Sequence, residues 1–156
     1  MVYILLGSKS DQEYGKTAVD IFEQFGVKAS LWVASAHRAP RWLHEVVAKG
    51  EKAGVKVFIC GAGGAAHLPG VVASLTCRPV LGVGIAAKYL GGIDSMLSLV
   101  QMPSGVPVGF CGLGETGMKN AAYLALQILA LEDKKLASKL HEYKKKMEEE
   151  NRKANG

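Results

Sequence analysis

The chain has 156 residues, 49% of them hydrophobic, with 19 glycines, three cysteines and a formal net charge of +5, enough for one domain with a real core. The positive excess is thinly spread and no basic run is interleaved with aromatics, which speaks against nucleic acid as a partner, and no run approaches the roughly 18 apolar residues of a membrane span. Cys60, Cys77 and Cys111 are widely spaced with no CxxC pair, and no basic-then-apolar leader opens the chain, so a reducing cytoplasm is expected rather than a disulfide frame or a zinc site.

In chain order, VYILL (2–6) is a short apolar run that reads as a strand and ends in GSKSD. DQEYGKTAVDIFEQFG then places Ala18, Ile21, Phe22 and Phe25 on one helical face and stops at Gly26. KASLWVA (28–34) reads as a second strand, and PRWLHEVVAKGEKAG as a helix with Pro40 at its start, where proline is tolerated. VKVFIC (55–60) is a third strand, after which GAGGAAHLPGVVASL turns into a helix. RPVLGVG (78–84) is a fourth strand, GGIDSMLSLVQM a short helix, and VPVGFCGLG a fifth strand. The remainder, from Met118, is one long helix or two successive ones.

Strands alternate with helices throughout. Crossovers of this length join parallel strands, and nearly all-apolar strands are those buried on both faces. The expected fold is α/β: a three-layer, doubly wound parallel sheet, flavodoxin-like or Rossmann-like, forming a single domain over 1–156. Residues from about 132 to 156 make a C-terminal helical tail, with KKK at 144–146 and EEE at 148–150 as a solvated face with i,i+4 pairing. An apolar stripe left unburied on such a tail wants a partner, so the tail is expected to pack on a neighbouring subunit. The last polar residues are expected to fray.

In such a sheet, ligands bind at the carboxyl ends of the strands. Strands one to three end in GSKSD, SAHRAP and GAGGAAHLPG, so a parallel sheet gathers Ser8, Ser10, Asp11, Ser35, His37, Arg38, His67 and a run of glycines on one edge. Each loop also has a plain reading. Ser10 or Asp11 is an ordinary helix cap, although serine hydroxyls and free N–H groups at a helix start equally suit a phosphate. A Walker loop is ruled out, because the required G-x-x-x-x-G-K-[ST] is absent. Asp11 suits a ribose, since a carboxylate takes two hydroxyl donors well.

GAGGAA formally satisfies G-x-G-x-x-A. The acid that a dinucleotide site wants about 20 residues on is missing, and LGVGIAA stands there instead. The glycines still let backbone approach a flat ligand and offer N–H groups to a carboxylate. A lone histidine is more often a surface or satisfied core residue. His37 and His67, however, stand at two adjacent strand ends, and they make no metal site without a third ligand. Arg38 supplies a fixed charge for phosphate or carboxylate. His44 and His141 read as surface residues, and Cys60 as the one cysteine near the cleft. These residues point to a cofactor-independent site for a phosphorylated, ribose-bearing small molecule, worked by histidine acid–base chemistry. The spacing does not name the reaction.

GSKSD, SAHRAP, GAGGAAHLPG, PVLGV and SLVQMPSGVPV, in this order, closely resemble the bacterial and archaeal N5-carboxyaminoimidazole ribonucleotide mutases of purine biosynthesis. The resemblance runs from residue 1 to about 131, with a related helical tail. It implies that the carboxylate on N5 of the substrate moves to C4 of the imidazole, by decarboxylation and recarboxylation, with no ATP, metal or biotin. It implies His37 as the catalytic acid and base. It implies Ser8, Ser10, Ser35 and Arg38 around the phosphate and Asp11 on the ribose. Ala62, Gly63, His67 and Leu68 would then face the base and the migrating carboxylate. It also implies a cytoplasmic homo-octamer with sites at subunit interfaces.

Some positions depart from the family pattern. Ala39 replaces the common threonine of SAHRTP, and Cys60 stands where alanine is frequent. Gly84 takes the place of a usual proline, and Ile85, Ala86 and Ala87 replace a more polar set. A glycine for a proline loosens a loop, so substrate closure or quaternary contacts are expected to differ while activity is retained. Two alternatives stand beside the mutase: a direct aminoimidazole ribonucleotide carboxylase using carbon dioxide, against which the AAHLPG loop speaks, and a non-catalytic ribonucleotide-binding paralogue, against which the intact His37 and His67 weigh.

Overall fold

Five short apolar runs pair side by side. A computed structural model describes residues 1–87 and 90–154; residues 88, 89, 155 and 156 lie outside them, and with them the last two positions expected to fray. The strands β1 (Val2–Leu6), β2 (Ala29–Val33), β3 (Val57–Gly63), β4 (Val80–Ile85) and β5 (Gly109–Leu113) form one sheet in the order β2-β1-β3-β4-β5. Every pairing is parallel, and the order is the flavodoxin-like one. The helices are α1 (Gln12–Phe25), α2 (Pro40–Lys52), α3 (Leu68–Leu75), α4 (Ile93–Val100), α5 (Gly114–Ala130) and α6 (Lys134–Lys153).

β1 and β4 are buried along their whole length. Each has a strand on both edges and helices on both faces, which is why VYILL and VLGVGI offer no polar position. On one face, Tyr3, Leu5, Phe58 and Cys60 pack with Leu43 and Val46 of α2, Val72 of α3 and Leu99 of α4. The other face takes α1 and α5: a Cβ on Gly15 of α1 would strike Leu31 and Leu6, and one on Gly61 of β3 would strike Leu6 and Met118. Phe22, Phe58 and Leu43 are fully buried, each contributing ~1.5–3 kcal/mol by leaving water. α1 stops where its sequence predicts, at Gly26, whose φ of 74° suits a residue without Cβ.

Three expectations need correction. β3 runs on through Gly61, Ala62 and Gly63, so half of the glycine run is strand and α3 begins only at Leu68. Cys60 therefore lies mid-strand and fully buried, not at the cleft. Gly84 is strand, as the run 78–84 predicts, and the loosened loop expected from it does not form. It sits inside β4, where a Cβ would stand 2.5 Å from Leu113 and 2.8 Å from Ser95 Oγ; close packing, and not looseness, explains a glycine there.

The chain divides into two compact units, Met1–Ala125 and Leu126–Gly156. In the second, Asp133 caps α6 by accepting from the N–H groups of Lys135 (2.9 Å) and Leu136 (3.1 Å), so the C-terminal stretch is two successive helices. Glu149 pairs with Lys145, as the charge run predicts, and Glu148 with Arg152 beyond it. Among the described residues no helix is long and apolar enough to cross a membrane.

Candidate active site

The carboxyl ends of β1, β2, β3 and β4 border one cleft of about 420 Å³. At the end of β1, Ser8 starts a 3-10 turn over Lys9–Asp11 and its Oγ accepts from Ser10 N–H at 3.4 Å and from Ser10 Oγ–H at 2.9 Å, while Ser10 Oγ also lies 3.0 Å from Asp11 Oδ1. Asp11 occupies the cap position of α1 without a side-chain cap bond. Its carboxylate is thus not consumed by the helix, and the plain capping reading fails for it.

At the end of β2, Ser35 Oγ accepts from Arg38 N–H (3.2 Å) and Arg38 Nε–H (3.3 Å), and Arg38 Nη2 donates to Gly7 O at 2.9 Å. These bonds tie the second loop to the first and hold the guanidinium in place. Among the described residues no carboxylate pairs with it, so its charge is left for an anion.

Beyond β3, His67 stands before the first turn of α3 and makes no side-chain cap bond. It turns instead to His37: Nε2 of His37 and Nδ1 of His67 are 2.7 Å apart, with the rings edge to face at 4.9 Å between centroids. The two histidines do not come from neighbouring strands as expected, because β1 lies between β2 and β3. The loops bridge that strand.

All ten residues expected at the site line this cleft: Ser8, Ser10, Asp11, Ser35, His37, Arg38, Ala62, Gly63, His67 and Leu68. The lining also includes Gly7, Ala36, Ala65, Ile85, Ala86 and Ala87. Of these, Gly7 directly precedes Ser8, Ala36 lies between Ser35 and His37, and Ile85 to Ala87 end and follow an apolar strand on the same edge; those were the available signals. His44 is exposed and does not line the cleft, and His141, in the second unit, is exposed. Among the described residues no group of three His, Cys, Asp or Glu is placed to hold a metal.

A family model described as AIR carboxylase matches residues 1–150. The chain belongs to that family. Its relatives include a protein of Saccharolobus solfataricus, 51% identical over 94% of this chain and 91% of its own length. Others are from Methanocaldococcus jannaschii, 52% identical over 94% and 90%, and Escherichia coli K12, 47% identical over 96% and 88%. All three are named N5-carboxyaminoimidazole ribonucleotide mutase. The crystal structure of Treponema denticola PurE superposes with a TM-score of 0.86 at 27% identity, covering 98% of this chain and 92% of that one. That of a substituted form of Treponema denticola PurE2 superposes at 0.91 and 24% identity, covering 99% and 94%, a likeness of fold alone.

Proposed function

We propose that this AIR carboxylase family member is an N5-carboxyaminoimidazole ribonucleotide mutase, which moves the substrate's carboxylate from N5 to C4 to give 4-carboxyaminoimidazole ribonucleotide in purine biosynthesis. One observation carries the reading: three strand-end loops converge on one cleft with His37 against His67 at its wall. The names of relatives about half identical over nearly their whole length support it.

In this reading the N5–carboxylate bond breaks, its electron pair stays on N5, and His37 gives N5 a proton as carbon dioxide leaves. C4 then attacks the held carbon dioxide, and the proton displaced from C4 returns to His37. No proton is gained or lost overall, so one imidazole serves both steps. Ser8, Ser10, Ser35 and the pinned Arg38 take the phosphate, a grouping of hydroxyls and fixed positive charge suited to it. Asp11 takes the ribose hydroxyls. Ala62, Gly63, His67 and Leu68 border the base and the carboxylate, and Ala62 and Gly63 are small enough to leave room for a flat ring.

The reading includes a homo-octamer in the cytoplasm, with the C-terminal helix reaching a neighbouring subunit. Ile93, Leu97 and Val100 present an exposed apolar stripe on α4, which supports self-association. Three free cysteines support a reducing compartment.

The test is a paired absorbance assay for 4-carboxyaminoimidazole ribonucleotide. One cuvette receives fresh N5-carboxyaminoimidazole ribonucleotide, the other aminoimidazole ribonucleotide with modest bicarbonate. Product in the first alone is expected. Efficient product in the second would make the chain a direct carboxylase, and ligand binding with product in neither would make it a binding paralogue.

A further inference from the structure

Ser95 is the one fully buried polar side chain among the described residues. Burying a hydroxyl costs free energy unless it is hydrogen-bonded. Ser95 Oγ–H donates to Gly92 O at 2.8 Å and lies 3.5 Å from Ile85 O. A serine in a first helical turn often bonds back to the carbonyl three residues earlier, and the Gly92 contact alone would be no more than that. Ile85 is different: it is ten residues away and is the last residue of β4.

Two glycines bring these groups together. A Cβ on Gly84 would stand 2.8 Å from Ser95 Oγ, and one on Gly63, the partner of Ile85 in β3, would stand 2.8 Å from Ile85 O. The Ile85 peptide therefore packs closely against β3, and the Ser95 oxygen, whose single proton goes chiefly to Gly92 O, sits against Ile85 O at 3.5 Å. Directly after it, Ala86 and Ala87 leave the sheet and line the cleft on the β4 side. The β1 and β2 sides of the cleft are tied together by Arg38. On the β4 side, among the described residues, Ser95 is the buried polar side chain that lies between the end of the strand and the start of α4.

We propose that Ser95 is a positioning residue for this wall: its hydroxyl fixes where β4 hands the chain to Ala86 and Ala87, and so how closely they stand against the reacting end of the ligand. Ser95 touches no ligand and acts through Ile85. The catalytic part of the proposal rests on the mutase reading; the positioning part does not.

Ser95→Ala removes the hydroxyl and keeps the shape. In ligand-free protein labelled at alanine methyls, the order parameters of Ala86 and Ala87 should fall by about a third, while those of Ala18 and Ala62 hold. No change at 86 and 87, or an equal fall at all four, would overturn the proposal. With N5-carboxyaminoimidazole ribonucleotide as substrate, a loosened wall should let carbon dioxide escape. The enzyme-dependent ratio of aminoimidazole ribonucleotide to 4-carboxyaminoimidazole ribonucleotide should then rise several-fold. A merely structural loss lowers the amount of active enzyme and leaves that ratio fixed, which would overturn the catalytic part. If the wild type makes no product, the mutase reading falls while the methyl measurement still decides the positioning. Ser95→Cys, a weaker donor of similar size, should give intermediate values and supplies the same comparison if the alanine variant does not fold.

Discussion

Two imidazole nitrogens 2.7 Å apart can share one proton, so one ring of the His37–His67 pair donates and the other accepts. Both rings are exposed at the cleft, and a ligand that engages His37 has to draw it from its partner. In the proposed reaction His37 carries the proton in both directions. His37→Asn keeps a polar group of similar reach and removes the acid–base function. Turnover should fall by at least roughly 100-fold, while product affinity by titration calorimetry stays within a few-fold. Turnover at the wild-type rate would take His37 out of that role. Arg38 differs in kind: its bonds to Ser35 and Gly7 fix its position before any ligand arrives, so it orients rather than reacts.

At the scale of elements, α2 starts with a defect that can be repaired. Ala39 occupies its cap position with no side chain able to bond the free N–H groups of the first turn. Ala39 does not line the cleft. Ala39→Ser should stabilise the fold by ~1 kcal/mol, seen as a rise in Tm of about 2–4 °C; no rise would mean that those N–H groups are already satisfied. The same helix illustrates what the sequence makes legible. Pro40 and the spacing of Leu43, Val46 and Val47 mark its start and its buried face, because propensity and periodicity are local. The site loops were legible for a related reason: each follows an apolar strand directly, and parallel strands place their ends together. What stayed hidden depends on contacts far apart in the chain. The bond from Arg38 to Gly7 spans 31 residues and the His37–His67 contact 30. The need for a glycine at 84 is hidden until Leu113 and Ser95 are seen crowding it. The extent of β3 was missed because Gly61 and Gly63 look like a turn, and only the neighbouring β4 makes strand of them.

At the scale of the first unit, the sheet holds two thiols whose ionisation is linked to folding. Burial pushes Cys111 from the usual 9.0 up to about 11 and raises Cys60 as well. Below pH 9 both the folded and the unfolded chain keep these protons, and the thiols leave stability unchanged. Above it the unfolded chain loses protons that the folded one retains, so stability falls as the pH climbs from 9 through 11. Urea midpoints should decline across that window, and less steeply for Cys111→Ala than for wild type. Equal slopes would show that Cys111 titrates alike in both states.

The strand order also bears on how the sheet is made. No strand has to be threaded between two that are already paired. β1 takes β2 on one edge, and β3, β4 and β5 then join on the other, each beside a strand already in place. A chain leaving the ribosome at ~5–20 residues per second lays such a sheet down along a single advancing edge. The cleft's lining, from Gly7 to Ala87, has been synthesised in full before the first residue of β5 is added.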